Sequence, residues 1–72
     1  MNERLVDARG MRCPWPALRL ARAMREADEA VIVADDPAAP REIAALAVER
    51  GWSLLHVETA IGPGWRATKL KT

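Results

Sequence analysis

Residues 30–34, Ala-Val-Ile-Val-Ala, form an unbroken apolar run rich in β-branched side chains. That is the composition of a short strand buried on both faces. The stretches on either side of it have a helical period. Over residues 14–27, Ala17, Leu20, Ala21, Met24 and Ala27 fall on one face, with Arg19, Arg22 and Glu26 on the other. At about 40–50, Ile43, Leu46 and Ala47 line one face, Pro40 suits the first turn and Gly51 the end. Residues 4–8, Arg-Leu-Val-Asp-Ala, read as a further short strand that stops before Gly10. If the first helix crosses over between these two strands, they are parallel and the crossover is right-handed.

The rest of the chain reads as a hairpin. Residues 52–60 and 64–71 are strand candidates around Ile61-Gly62-Pro63-Gly64, a cluster of turn formers. With Gly62-Pro63 at the centre, Ala60 faces Trp65, Glu58 faces Ala67 and His56 faces Lys69. Leu55, Val57 and Leu70 then share the apolar face, which is expected under the helices. His56, Glu58 and Lys69, with Trp65, are expected on the open face. A one-residue slip would invert this assignment. The element order is β-α-β-α-β-β, and two helices are most simply placed together on one face of a four-stranded mixed sheet. The expected fold is therefore an α/β two-layer sandwich, with residues 1–72 as a single domain. Half the residues are hydrophobic, too many for a disordered tail, and a domain this small is expected to be marginally stable.

Cys13 is the only cysteine, so no disulfide within the chain can compensate for the small core, as disulfides do in many small secreted domains. A lone thiol points to a reducing cytosol or to an intermolecular bond. No signal peptide is visible in the polar stretch Met1 to Leu5, and the apolar runs are far shorter than the ~20 residues a membrane span needs. The expectation is a cytoplasmic protein without membrane contact. Charge is unevenly spread along the chain. Residues 1–25 carry +4, with Arg4, Arg9, Arg12, Arg19, Arg22 and Arg25; residues 26–58 carry −6, and residues 59–72 carry +3. These are either ordinary solvated faces or a bipolar surface that steers an acidic partner toward the N-terminal third, with Arg19 and Arg22 as docking residues. Direct binding of nucleic acid is disfavoured, because the net charge is small and no aromatic residue alternates with the basic ones.

Chemistry concentrates in Gly10-Met11-Arg12-Cys13-Pro14-Trp15-Pro16. Pro14 fits the first helical position, and a proline pushes the residue before it out of the α region, as an N-cap requires. Cys13 is thus expected at the N-cap. Pro14 and Pro16 have no N–H, so the Trp15 N–H is the expected donor to the Cys13 sulfur. The helix start and Arg12 favour the thiolate, which is the nucleophile. The opposing reading is a small buried hydrophobic cysteine. Trp15 lies outside the apolar stripe and is expected to be partly exposed beside the sulfur.

The run Asp7-Ala8-Arg9-Gly10-Met11-Arg12-Cys13-Pro14-Trp15-Pro16 followed by an amphipathic helix resembles the Cys-Pro-x-Pro signature of the TusA/SirA sulfur-carrier family. The later Ile32-Val33-Ala34-Asp35-Asp36-Pro37-Ala38 and the closing hairpin resemble it too, so the likeness spans nearly the whole chain. It implies a two-layer α/β sandwich and a persulfide on Cys13, with Arg12, Pro14, Trp15 and Pro16 around the sulfur and no cofactor. It also implies a cysteine desulfurase or rhodanese-like donor and a downstream acceptor protein. The best-known outlet is tRNA 2-thiouridine synthesis; others serve molybdenum-cofactor proteins or sulfur oxidation. Trp15 departs from the tRNA-thiolation members, where an acidic residue is familiar between the prolines. Some proteins of this fold are described as regulators, so the competing reading is a non-catalytic interaction or redox-regulatory module.

Asp35 and Asp36, before Pro37, are read as a turn and a cap for the next helix rather than as an acid pair or metal site, though their place after the second strand can bring them near the Cys13 loop. His56, the only histidine, is expected far from the helix start, which disfavours a Cys–His dyad. One Cys and one His do not make a zinc site. Trp52 and Trp65 are expected to be packing residues, with Trp65 also a candidate docking anchor.

Overall fold

The structure, a computed structural model, describes residues 4–70. Its elements are β1 (Arg4–Ala8), α1 (Trp15–Glu26), β2 (Glu29–Ala34), α2 (Ala39–Arg50), β3 (Trp52–Thr59) and β4 (Gly62–Lys69). The four strands make one mixed sheet in the order β1-β2-β4-β3. β1 runs parallel to β2, with Ala8 opposite Ala34, and β4 is antiparallel to both β2 and β3. The expected α/β two-layer architecture is the one observed. Lys71, placed in the last strand by its sequence, lies outside the described residues.

Both helices pack on one face of the sheet. Leu20 and Met24 of α1 and Ile43 of α2 join Ala8, Ala30, Ile32 and Ala67 of the strands in one buried cluster. In α1 the buried stripe is Pro16, Leu20, Ala23 and Met24, turned slightly from the expected one, so that Ala17 and Ala21 flank it half-buried. α2 buries Ala39, Ile43 and Ala47, while Leu46 is half-buried. It ends at Gly51, whose φ of 74° is left-handed and whose N–H bonds back to the Ala47 and Val48 carbonyls.

The hairpin departs from expectation in its register. Thr59 pairs with Gly62, so the reversal is Ala60-Ile61, and Trp65 pairs with His56 rather than Ala60. Gly62 takes φ of 124°. The Thr59 hydroxyl donates to the Gly62 carbonyl at 2.7 Å and accepts from the Ile61 N–H at 3.1 Å, closing the turn. Pro63 pairs with Glu58 at the start of β4, beyond the β2–β4 pairing that begins at Trp65, so its missing N–H removes no bond to β2.

The covered face is also the opposite of the expected one. Trp52, Leu54 and Trp65 pack against the core. His56 is on their side, its ring 5.7 Å from that of Trp65. Leu55 lies in the other row and is 58% exposed, and Leu70 is exposed as well. The offset in pairing is four residues. Because it is even, the same residues share a face as expected, and only the choice of covered face is reversed.

Candidate functional site

The parallel pairing of β1 and β2 brings the loops after both strands to one end of the sheet. The loop after β1 carries Gly10 through Pro14, and the loop after β2 carries Asp35 and Asp36. Gly10 has φ of +80°, a conformation that favours glycine. Its N–H donates to Asp35 Oδ1 at 2.9 Å, tying the two loops together. Asp36 instead serves its own turn, with Oδ2 accepting from the Ala38 N–H at 3.0 Å. Of the expected turn-and-cap role, Asp36 fills the turn alone, since the N-cap of α2 is Ala38 and no side chain caps the helix, and Asp35 reaches across to the loop that carries the cysteine.

Asp7 and Arg9 brace the start of that loop. Arg9 Nε donates to Asp7 Oδ1 and its terminal nitrogen to Oδ2, both at 2.9 Å, and the Arg9 N–H adds a bond at 3.2 Å. Chiefly through the guanidinium hydrogen bond, and next through the backbone bond, the Asp7 carboxyl is held down at about 2. The same pairing raises the pKa of Arg9. The Met11 N–H closes a turn onto the Ala8 carbonyl at 3.2 Å.

Cys13 is exposed, which sets aside the buried-hydrophobe reading. It lies one residue outside the helix cap: the N-cap is Pro14, joined to Cys13 by a cis peptide bond, and no side chain caps the helix. The Trp15 N–H donates to the Arg12 carbonyl at 2.9 Å, so it is already taken and does not serve the sulfur as expected. The turn from Arg12 to Trp15 explains this, since it closes the chain one residue later than a cap at Cys13 would. The Leu18 N–H bonds to the Pro14 carbonyl at 3.1 Å. Pro16 has no N–H, which leaves that of Ala17 as the donor in the first helical turn still available at this end of α1.

The neighbouring residues diverge in role. Pro16 is fully buried and anchors the helix start in the core, whereas Trp15 is 59% exposed, as its position outside the apolar stripe predicts. Arg12, Arg19 and Arg22 are exposed. Arg19 and Arg22 border two shallow grooves. One runs beside β1, with Arg4, Leu5, Val6, Asp7, Ala23 and Glu26. The other is lined by Trp15, Leu18, Ala21, Arg25 and Arg50. No helix among the described residues is long and apolar enough to cross a membrane.

An exposed cysteine before a helix start, on a loop fixed by Asp35 and by the Asp7–Arg9 pair, is the geometry on which comparison with known proteins bears. Residues 4–69 match the family described as sulfurtransferase TusA. The chain belongs to the TusA sulfurtransferase family. The crystal structure of a SirA-like protein from Desulfitobacterium hafniense is similar in fold, with a TM-score of 0.77 at 19% identity over 93% of this chain and 97% of that one. Membership makes this a sulfurtransferase-type carrier at the level of the family. The approach of Asp35 to the Cys13 loop is one that the sequence of this TusA-family chain allows for, while the bond from the Gly10 N–H to Asp35 is the feature it left unassigned. Once the first two strands are read as parallel, the residues just past each strand are expected side by side, and that is the clue that finds it.

Proposed function

We propose that this chain is a sulfur carrier that accepts sulfane sulfur on Cys13 and passes it to an acceptor protein. The observation that carries this reading is the exposure of the chain's one thiol on a loop braced from two sides, at the start of α1. A sulfur carrier needs its thiol within reach of two different partners, and an exposed thiol meets that need.

The chemistry balances without a cofactor. The Cys13 thiolate attacks the outer sulfur of a donor cysteine persulfide. A sulfur–sulfur bond forms at Cys13, the donor's sulfur–sulfur bond breaks, and the donor cysteine leaves as a thiolate. Delivery repeats the exchange, with Cys13 as the leaving thiolate. Arg12, next to Cys13 in the chain, supplies positive charge nearby. The donor is a cysteine desulfurase or a rhodanese-like protein, working in the cytoplasm. Arg19 and Arg22 face such a partner from the outer side of α1 and speed encounter with an acidic surface. Trp15, beside the sulfur, gives the acceptor a large amphipathic ring to pack on. The acidic residue familiar from tRNA-thiolation members is absent there, which favours an acceptor outside that pathway.

The test is loading with radiolabelled sulfur from cysteine through a desulfurase, comparing the wild type with Cys13→Ser. Label is expected on the wild type alone, with both proteins equally folded. Equal label on the serine variant would overturn the assignment.

A further inference from the structure

β1 is an edge strand, paired with β2 alone among the described residues. One side of its backbone therefore offers unpaired N–H and C=O groups to an added strand. Beside that edge, between β1 and α1, runs the groove of about 510 Å³ bordered by Arg19 and Arg22. Its two carboxylates are already engaged: Glu26 Oε1 accepts from Arg4 at 3.2 Å, and Asp7 is held by Arg9. Arg19 and Arg22 take part in no ion pair with a described residue. Neutralised carboxylates with two uncompensated guanidiniums leave the groove net positive.

We propose that this edge receives an extended acidic segment of a partner protein as a fifth strand. Main-chain bonds to β1 supply the binding, and the groove selects the side chains. The pleat fixes the pattern. Val6 packs toward the core on the helix side of β1, and Leu5, on the other side, is 48% exposed. An added strand thus turns alternate residues toward Arg19 and Arg22, where Asp or Glu fits, and the intervening ones toward Leu5, where an apolar side chain fits. The opposite edge of the sheet, β3, reads WSLLHVET and carries Glu58 but no Lys or Arg. It has the free backbone without the positive groove and acts as an internal control. The inference rests on the carrier reading only for the claim that the segment belongs to a sulfur donor or acceptor.

The experiment uses the full chain as Cys13→Ser, so no sulfur chemistry intervenes. The probe is a peptide of alternating Glu and Val, with two comparison peptides: one with Lys in place of Glu, and one of the same composition with Glu and Val in separate blocks. Backbone amide resonances are followed during titration, and amide exchange is measured in the bound state. The alternating acidic peptide is expected to shift and protect amides of residues 4–8 and to leave 52–59 unchanged. Replacing both arginines, Arg19→Glu and Arg22→Glu, is expected to weaken binding by about tenfold, the scale of two partly exposed ion pairs together. Mapping on the unaltered edge decides the matter even if that double variant folds poorly. Perturbation of β3 instead of β1, equal binding of the Lys or block peptide, or no shifts at millimolar peptide would overturn the proposal. Sulfur loading of the wild type is measured separately. A chain that loads but ignores the peptide defeats the strand-addition proposal alone, and one that binds the peptide but never loads defeats the carrier reading alone.

Discussion

Gly64→Ala is expected to be among the costliest single-methyl additions to this chain. Gly64 is buried on β4, opposite Val57. A Cβ there would run into the Ile32 carbonyl oxygen, approach the Ile32 carbonyl carbon at 3.2 Å, and touch Val33 Cγ2 at 3.0 Å. Two of these obstacles are backbone, and the third belongs to a β-branched side chain that is 4% exposed, so no flexible side-chain end can move aside. Relief requires β2 and β4 to part. Overpacking of a close-packed site costs about 1–3 kcal/mol, and a backbone obstacle puts this case at the upper end, at ~2–3 kcal/mol. A single core in a chain this small supplies about 3–5 kcal/mol, so a large part of the stability is expected to go. Gly51→Ala is the matched comparison. Its φ of +74° disfavours alanine, but nothing lies within 4 Å of the added Cβ, so its cost is ~1 kcal/mol. Urea denaturation of the wild type and both variants, with slopes checked for equality, reads the two costs directly. A Gly64→Ala protein within ~0.5 kcal/mol of wild type, or more stable than Gly51→Ala, would refute the close approach of β4 to β2.

Three further outcomes are expected. Asp35→Ala removes the acceptor for the Gly10 N–H; because both groups are exposed, global stability should fall by about 1 kcal/mol or less, while amide exchange at Gly10 quickens and sulfur loading of Cys13 slows, and unchanged exchange there would show that the tether does not hold the loop. Asp7, with its carboxyl held at about 2 against an ordinary value of 3.8, has a depressed folded pKa; its contribution is present above the unfolded value and lost as pH falls from about 4 to about 2, so a carboxyl resonance midpoint near the ordinary value, or the same acid stability in Asp7→Asn, would contradict the bidentate pair. Trp15→Glu should keep loading and change the relative transfer rates across a panel of acceptor proteins, because the residue is exposed; identical rates would show that the indole does not choose the acceptor.

How much was legible follows from which pattern governs each part. The strand-helix-strand core was readable because 30–34 is continuously apolar between two stretches of helical period. Gly51 ended α2 where a left-handed cap was needed. The hairpin was legible as a hairpin but not in register. Gly62 and Pro63 drew the turn toward themselves, whereas the Thr59 hydroxyl, through its bonds to Ile61 and Gly62, sets the reversal two residues earlier. The buried face of β3 could not be read from alternation, because Leu54 and Leu55 put a large apolar side chain on each side, and only packing against the helices chooses Leu54. At the site, the exposed cysteine beside a helix start was readable, and so was the exposed Trp15. The cap position was not: proline rules place Cys13 at the N-cap, and the turn from Arg12 to Trp15 moves the cap to Pro14. The tether from Asp35 to Gly10 joins residues 25 apart, and only the parallel pairing of β1 and β2 makes them neighbours.

Intact-protein mass reads whether Cys13 holds transferable sulfur. The wild-type chain is incubated with a cysteine desulfurase and cysteine, separated from the donor, weighed, then weighed again after an acceptor thiol protein is added. A gain of one sulfur atom is expected, confined to the peptide containing Cys13 and lost when the acceptor is added, with the acceptor gaining it. A chain that gains no sulfur, or that holds sulfur no acceptor can remove, would contradict the carrier reading.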